Sequence, residues 1–320
     1  MMPWVLVGLG LVILLLAGDS LVRGAVNLSL RLGVPALIVS LTIVAFGTSA
    51  PELLISIRAV LDNAPGIALG NVVGSNTANI LLVLGIPAIL ARMHTSECDS
   101  RKTYLFMLAA SILFIALAML GDFTLWTGLL LLLVLALVLW DQLRDALSHR
   151  RNGQKEQEAE ELLEALEDAD PNMPFWRIGI YTGLGLIGLP LGANLLVENA
   201  TLIARTYGVS DTVIGLTLVA LGTSLPELAT TVMAALRRQA DVALGNVIGS
   251  NMFNLLAIIG LATLFGPIPV DPEFLRFDLW VMLGASLLLV PFVFFRRDIT
   301  RLWGFGLSAL YIAYVVAVLI

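Results

Sequence analysis

The sequence is poor in charged residues and in the side chains that usually build catalytic or metal centres. Charged residues make up 13% of the 320 residues, against about a quarter in soluble domains, whereas hydrophobic residues make up 58%. The single cysteine, Cys98, excludes a disulfide framework and a cysteine-rich metal site. The two histidines, His94 and His149, lie between the apolar segments, which argues against a histidine-based centre. Nothing in this composition indicates a nucleic-acid surface or an obligatory protein partner.

Long apolar segments take up most of the chain instead. A membrane-spanning helix needs about 20 predominantly apolar residues. The first such segment has no basic residue before it and no clear cleavage site, so we expect it to be retained and not removed as a signal peptide. Ten spans are predicted in the lipid bilayer, at residues 3–22, 35–60, 66–91, 103–120, 123–143, 175–204, 210–236, 241–266, 277–295 and 302–320.

The basic residues predict an orientation for these spans. If the N-terminus lies outside, the loops and span edges on the cytoplasmic side carry all of the 18 Lys and Arg residues except Arg58, Arg205 and Arg276. Such a bias is typical of the cytoplasmic face of membrane proteins. The sequence therefore predicts a multi-pass protein of the cell membrane, inner or plasma, with both termini extracytoplasmic.

The chain contains an internal repeat. Residues 41–53 read LTIVAFGTSAPEL and residues 216–228 read LTLVALGTSLPEL, while ALGNVVGSN at 68–76 returns as ALGNVIGSN at 243–251. The offset is 175 residues without a gap, and 25 of the 53 positions in residues 33–85 are identical to their partners. Because each unit holds five spans, an odd number, equivalent helices cross the membrane in opposite directions. Inverted repeats of this kind place the substrate of a transporter at their interface, near the bilayer midplane.

The predicted fold class is therefore an all-α polytopic membrane protein, with ten transmembrane helices arranged as two inverted five-helix repeats. The repeats occupy residues 1–144 and 175–320. Residues 145–174 form an acidic cytoplasmic linker, since eight of the 24 acidic residues fall within 156–170. This linker lacks the ligand spacing of a calcium loop, so we interpret it as a solvated connector and not as an ion sensor.

Two acidic residues lie well inside the apolar spans. They are Glu52 and Glu227, and each is the repeat partner of the other. A carboxylate within the membrane costs several kcal/mol, which makes it a functional candidate. No Lys or Arg lies at a comparable depth, so a structural ion pair between helices is the weaker interpretation. The partner is expected to come from outside the protein, as a cation does.

Each glutamate follows a Gly-Thr-Ser-x-Pro segment that predicts a broken core helix. Proline removes a backbone donor and clashes with the carbonyl four residues earlier, so we expect the carbonyls of Gly47 and Ala45, like those of Gly222 and Ala220, to be free. Broken helices within a membrane are tolerated where they line a cavity. Thr48 and Ser49 share the face of Glu52 if the helix is continuous, although each hydroxyl taken alone is more often structural. The same holds for Thr223 and Ser224 beside Glu227.

The next helix of each repeat adds a second set of oxygen donors. Ser75 and Asn79, like Ser250 and Asn254, are four residues apart and project from one face. Such oxygen atoms suit a hard cation, and Ca²⁺ takes six to eight of them in flexible geometry. Two carboxylates neutralise one Ca²⁺ or two Na⁺. Because the empty site carries two buried negative charges, we expect the protein to change sides only when it is loaded.

The paired GTS-x-PE and GN-x-x-GSN motifs, on an inverted five-plus-five repeat, resemble the sodium/calcium exchanger (cation/Ca²⁺ antiporter) superfamily in its short prokaryotic branch. The resemblance implies exchange of Ca²⁺ for Na⁺ by alternating access, with the first and sixth spans sliding over a rigid core. It also implies one Ca²⁺ position flanked by Na⁺ positions. The ligands that it implies are Glu52, Glu227, Thr48, Ser49, Thr223, Ser224, Ser75, Ser250, Asn79, Asn254 and the carbonyls of Ala45 and Ala220.

Several alternatives stay open at this point. Some members carry Asp at the position of Asn254, whereas both repeats here carry Asn, which leaves the stoichiometry and a Ca²⁺/H⁺ or K⁺-dependent exchange open. An intramembrane hydrolase would need a base, and the spans contain neither His nor an internal Lys. A passive channel would not accumulate an ion against its gradient. We expect a transporter, not an enzyme, with no cofactor beyond the transported ions.

Overall fold

The computed structural model describes residues 2–151, 170–208 and 220–319, and these residues are helical apart from loops and two isolated β-bridges. The all-α prediction is confirmed. Near the C-terminus, the three short helical pieces Pro272–Arg276, Asp278–Leu287 and Val290–Phe294 make up the segment that contains the candidate span Phe274–Phe294. The helices are α1 (Met2–Leu32), α2 (Ala36–Thr48), α3 (Ala50–Leu61), α4 (Pro65–Leu90), α5 (Arg101–Leu120), α6 (Leu125–Arg151), α7 (Phe175–Thr206), α8 (Ala220–Thr223), α9 (Leu225–Leu236), α10 (Ala240–Ala262), α11 (Phe274–Phe294) and α12 (Arg301–Leu319).

Within the described residues, eight helices are long and apolar enough to cross a membrane, and the bent pair α2 and α3 makes a ninth span. Helix α9 is a shorter apolar helix of 12 residues. The start of the predicted span 210–236 lies outside the described residues. Helices α1 and α6 extend beyond their predicted windows, to Leu32 and Arg151, so the beginning of the predicted linker is helical; its residues 152–169 also lie outside the described part.

Helices α1 and α7 form a closely packed pair. A Cβ atom on Gly10 would lie 2.8 Å from the backbone nitrogen of Leu196, and one on Gly185 would lie 2.5 Å from the Cβ of Leu21. Gly185 and Leu196 are the partners of Gly10 and Leu21 at the 175-residue offset. The repeat therefore extends to α1 and α7, although their sequences diverge, and only glycine allows the two backbones to approach so closely.

The core consists of α2 to α4 and their repeat partners α8 to α10. Helix α10 is its most enclosed member, because its whole apolar window is buried. A Cβ atom on Gly245 would lie 2.7 Å from the carbonyl oxygen of Leu37, and one on Gly249 would lie 2.4 Å from that of Leu41. Gly245 and Gly249 therefore allow α10 to pack closely against α2.

Both core helices that carry a glutamate are broken at the serine of the repeated motif. Ser49 has φ −81° and ψ 3°, and Ser224 has φ −86° and ψ 3°, so neither continues the helix. Helices α2 and α3 meet at a bend of 43°. The proline that follows each serine lies in the first turn of the next helix, where its missing N–H leaves no hydrogen bond unmade.

Among the described residues of the core, three segments are π-helical turns. They cover Ser40–Val44 in α2, Asn79–Val83 in α4 and Phe253–Ile258 in α10. Such turns are rare and often lie at functional sites. Asn79 and Asn254, both predicted site residues, lie at the start of such turns, which alter the direction in which their side chains leave the helix.

The two isolated β-bridges join the repeats outside the core. Met93 pairs with Ile299 and Phe123 pairs with Ile268. Met93 and Ile268 are repeat partners, and Phe123 is one residue from being the partner of Ile299. Each bridge thus connects a loop of one repeat to a loop of the other, at related places on the two sides of the fold.

Candidate functional site

The two membrane glutamates lie at the centre of the core. Glu52 is 1% exposed and Glu227 is fully buried. Each lies in the first turn of the helix that follows a break, α3 for Glu52 and α9 for Glu227, where helix N-termini favour negative charge. One oxygen of each carboxylate, Oε2, is buried and has no hydrogen-bond donor. The core thus holds acceptor oxygens that require a cation or protons.

The hydroxyl groups of the first repeat turn toward the second. The Ser49 hydroxyl donates to Oε1 of Glu227 over 3.2 Å, and Thr48 Oγ1 donates to Oδ1 of Asn246 over 3.2 Å and lies 3.4 Å from the Ser250 hydroxyl. The shared face with Glu52 was expected for a continuous helix, and that condition does not hold here, because the helix is broken at Ser49. The bend at Ser49 redirects both hydroxyls across the repeat interface.

The carbonyl of Ala45, which was expected to be free, accepts hydrogen bonds. Its oxygen accepts hydrogen bonds from the backbone N–H of Ser49 at 3.0 Å and from the Thr48 hydroxyl at 3.2 Å. The helix is broken only at Ser49, so the N–H of Ser49 still donates to the carbonyl four residues earlier. The Gly47 carbonyl has no N–H to accept four residues on, because Pro51 occupies that position. Ala220 begins α8 at the edge of the described residues.

Two asparagines donate hydrogen bonds to the backbone carbonyls of the glutamates. The side-chain amide of Asn71 donates to the Glu52 carbonyl over 3.1 Å and to the Ser56 hydroxyl over 3.0 Å. In the second repeat, the amide of Asn246 makes the equivalent bonds, to the Glu227 carbonyl and to the hydroxyl of residue 231. Both asparagines thus bond to the backbone of the helix that follows each break. Their role is to position the carboxylates.

A second pair of asparagines ties the repeats together. The amide of Asn76 donates to the carbonyl of Asn251 over 3.1 Å, and Asn251 returns the bond to the carbonyl of Asn76 over 3.4 Å. Asn79 donates to Oδ1 of Asn251 over 3.0 Å, whereas both amide atoms of Asn254 are buried without a partner. The repeat is thus asymmetric at these positions, since Asn79 is held in the interface and Asn254 has both atoms available.

The remaining predicted site residues are buried in the same core segments. Ser75 is 5% exposed, Thr223 is 9% exposed, and the buried hydroxyl of Ser224 has no partner. Within the described part of the chain, no group of three or more His, Cys, Asp and Glu side chains could hold a metal ion. A cation here would be held by two carboxylates together with hydroxyl, amide and carbonyl oxygens. That donor set suits Ca²⁺ and Na⁺ and not a transition metal.

Comparison with known proteins gives the same picture over the whole chain. Residues 2–144 and 178–320 each match the family described as sodium/calcium exchanger protein. The chain is 35% identical to the sodium/calcium exchanger MaX1 of Methanosarcina acetivorans, over 96% of both chains. It is 34% identical to the inner membrane protein YrbG of Escherichia coli, over 87% of this chain and 85% of that protein.

A solved structure shares the fold. The sodium-calcium exchanger NCX_Mj, soaked with 2.5 mM Na⁺ and 1 mM Sr²⁺, superposes with a TM-score of 0.82 at 32% identity, over 99% of this chain and 98% of that one. This agreement excludes the hydrolase alternative. The chain belongs to the sodium/calcium exchanger protein family and is a multi-pass membrane transporter, a cation/Ca²⁺ exchanger.

Proposed function

We propose that this protein exchanges Ca²⁺ for Na⁺ across the membrane by alternating access. The observation that supports this most strongly is the pair Glu52 and Glu227, two buried carboxylates that each have an oxygen without a donor. The hydroxyl of Ser49, three residues before Glu52, donates to Glu227 and so connects the two halves of the site. Two carboxylates balance the charge of one Ca²⁺ or of two Na⁺. The sodium/calcium exchangers MaX1 and NCX_Mj, similar to the chain over nearly its full length, favour the same pair of ions.

In the proposed site, Ca²⁺ lies between the two glutamates and Na⁺ occupies flanking positions. Ser49 already reaches from the first repeat to Glu227 and Thr48 reaches to Asn246, so both hydroxyls can contribute to an ion held by the second repeat. Asn254 offers an amide oxygen that no protein donor uses. The other proposed ligands are Thr223, Ser224, Ser75, Ser250, Asn79 and the carbonyls of Ala45 and Ala220. The Ala45 carbonyl oxygen now accepts hydrogen bonds from Ser49 and Thr48, so its lone pairs would be shared between these donors and the ion.

Charge balance couples the two ions. Without a cation, the site would carry two negative charges in a region of low dielectric constant, at several kcal/mol per charge. Loading with Ca²⁺ or with Na⁺ removes most of that charge, so the site can pass through the occluded state. An unloaded protein stays on one side, which makes transport an exchange and not a leak. Protons can neutralise the same carboxylates, so Ca²⁺/H⁺ exchange is the competing proposal.

We propose further that both termini are extracytoplasmic and that the protein lies in the cell membrane. The asymmetry of the basic residues supports the orientation, since only Arg58, Arg205 and Arg276 lie on the other side. The similar protein YrbG of Escherichia coli is an inner membrane protein. We also propose that residues 1–144 and 175–320 act as the two repeats and that residues 145–174 link them in the cytoplasm.

The test is ⁴⁵Ca²⁺ uptake into proteoliposomes at fixed pH, with Na⁺ inside one set and K⁺ or choline inside matched sets. We expect uptake only with internal Na⁺, and we expect Glu52→Gln and Glu227→Gln to abolish it. Asp62→Asn, an exposed carboxylate of the same core, serves as the control and should transport like the parent. If uptake is driven by a pH gradient and does not depend on Na⁺, the counter-ion is H⁺ and not Na⁺.

A further inference from the structure

An ion pair joins helix α1 to the core. Asp19 lies on α1, and its Oδ1 accepts a hydrogen bond from Nε of Arg237, the residue that ends α9. The other oxygen, Oδ2, accepts Nε of Arg23, one turn further along α1, at 3.0 Å. The side chains of Asp19 and Arg237 are only 19% and 17% exposed. This is a partly buried carboxylate shared by two guanidinium groups, not an exposed surface pair, which would contribute little.

Close backbone packing accompanies the ion pair. A Cβ atom on Gly18, the residue before Asp19, would lie 2.9 Å from the carbonyl oxygen of Ala229 in α9. Ala229 is 6% exposed beneath α1. Helix α1 is therefore closed against α9, the helix that carries Glu227, and the ion pair holds it there at the end of α9 that leads to the loop before α10.

The repeat-related interface, between α7 and α3, differs in each of these respects. At the 175-residue offset, Asp19 corresponds to Asn194 and Arg237 corresponds to Asp62, so no ion pair can form between them. Within the described residues, no salt bridge joins α7 to α3; the carboxylate of Asp62 is 67% exposed. Leu54, the partner of Ala229, is 69% exposed. The interface between α1 and α9 is closed and contains an ion pair, whereas the interface between α7 and α3 is open.

The symmetry of the inverted repeat shows what this difference between the two interfaces does. In an inverted repeat with identical halves, closing α1 on α9 and closing α7 on α3 would produce two states of equal free energy, facing opposite sides. The energies differ only through positions where the repeats differ, and Asp19 and Arg237 are such positions. We infer that the Asp19–Arg237 ion pair is a one-sided latch that positions α1 and favours the state in which α1 is closed on α9.

This inference rests on the alternating access of the proposed function but not on its counter-ion. The latch does not touch the carboxylates of the ion site, and it acts through the position of α1. Opening it should raise the population of the opposite state, in which Ala229 becomes exposed and Leu54 becomes covered. A tenfold change in that population corresponds to about 1.4 kcal/mol, a plausible contribution for a partly buried ion pair.

The test measures thiol labelling in the purified full chain, in a background where the only native cysteine is replaced by Cys98→Ser. One reporter is Ala229→Cys and the other is Leu54→Cys, each reacted with a water-soluble maleimide at fixed ion composition. We expect Asp19→Asn to label Ala229→Cys about tenfold faster and Leu54→Cys more slowly. Opposite changes at the two reporters indicate a shift between the two closed states, whereas local loosening of α1 would accelerate the first reporter alone.

Further variants distinguish a latch from general destabilisation. Arg237→Gln should give the same change as Asp19→Asn, and the double variant should give no more than either one, because the two residues act as a pair. Asp62→Asn, at the partner position of Arg237, should change neither labelling rate. Unchanged labelling in Asp19→Asn, acceleration at Ala229→Cys alone, or additive effects of the two substitutions would overturn the inference. None of these readouts depends on Na⁺ driving Ca²⁺ uptake.

Discussion

Adding a single methyl group at Gly249 should disable the ion site without changing any of its ligands. In Gly249→Ala, the new Cβ would lie 2.4 Å from the carbonyl oxygen of Leu41 and 2.6 Å from the Cβ of Ala45. Both contacts are to α2, and one of them is to its backbone. Neither can be relieved by a change of rotamer, so α2 and α10 must move apart.

The required movement follows from the distances. An ordinary contact begins at about 3.4 Å, so the two helices must separate by about 1 Å near Leu41. Overpacking of this kind costs about 1–3 kcal/mol. Thr48, on α2, now lies 3.4 Å from the Ser250 hydroxyl on α10, and Ca²⁺ accepts ligands only at about 2.3–2.6 Å. A separation of 1 Å would therefore take one side of the site out of coordination range.

Two measurements on the purified variant check this reasoning. Thermal unfolding in detergent should show a lowered midpoint, and ⁴⁵Ca²⁺ uptake should fall at least tenfold although all the proposed ligands are present. Gly284→Ala is the matched control, because nothing lies within 4 Å of a Cβ built at that helical glycine. It should be neutral or slightly stabilising. Parent-like transport and stability in Gly249→Ala would refute the close approach of α2 and α10 as a requirement of the site.

Three further predictions concern positions outside the ion site. Burial raises the pKa of Asp298, but hydrogen bonds from Ser96 and Arg92 outweigh it and hold the pKa below its ordinary value. The stabilisation is therefore complete above the pKa of an unfolded Asp, about 3.9, and is lost as the pH falls through the lowered pKa. Asp298→Asn should thus lower the unfolding midpoint at pH 7 and lower it progressively less as the pH falls below about 4. Partial burial raises the pKa of the half-buried Cys98 thiol, so alkylation by iodoacetamide at pH 8 should be far slower than for an exposed cysteine. A rate equal to that of a free thiol would contradict the raised pKa. Both amide atoms of Gln142 are buried without partners, so Gln142→Leu should raise the free energy of unfolding by about 1–3 kcal/mol, and a loss of stability would show that the amide is satisfied.

The sequence predicted the features that have a local cause. Pro51 and Pro226 predicted the broken helices, because a proline at mid-span removes a donor wherever the fold places it. Glu52 and Glu227 stood out because a membrane carboxylate is costly in any fold. The exact repeat of 175 residues predicted the two-fold arrangement before any helix was placed.

Other features depend on contacts that no local pattern encodes. Thr48 and Ser49 would share the face of Glu52 only in a continuous helix, and the sequence does not show that the bend at Ser49 directs both hydroxyls to the other repeat. The π-turns that begin at Asn79 and Phe253 come from packing between helices, and neither residue type signals them. The reciprocal bonds of Asn76 and Asn251 could have been suspected from their identical place in both motifs, but not their pairing across the interface.

The central claim is that the site crosses the membrane only when a cation neutralises Glu52 and Glu227. The most direct measurement is ⁴⁵Ca²⁺ release from loaded proteoliposomes, with the membrane potential clamped, into a medium free of Na⁺ and Ca²⁺ and then into media that contain either ion. The account predicts retention in the ion-free medium and rapid release when external Ca²⁺ or Na⁺ is added. Release into the ion-free medium at the rate seen with external Ca²⁺ would show that the unloaded site returns freely, and would contradict the account.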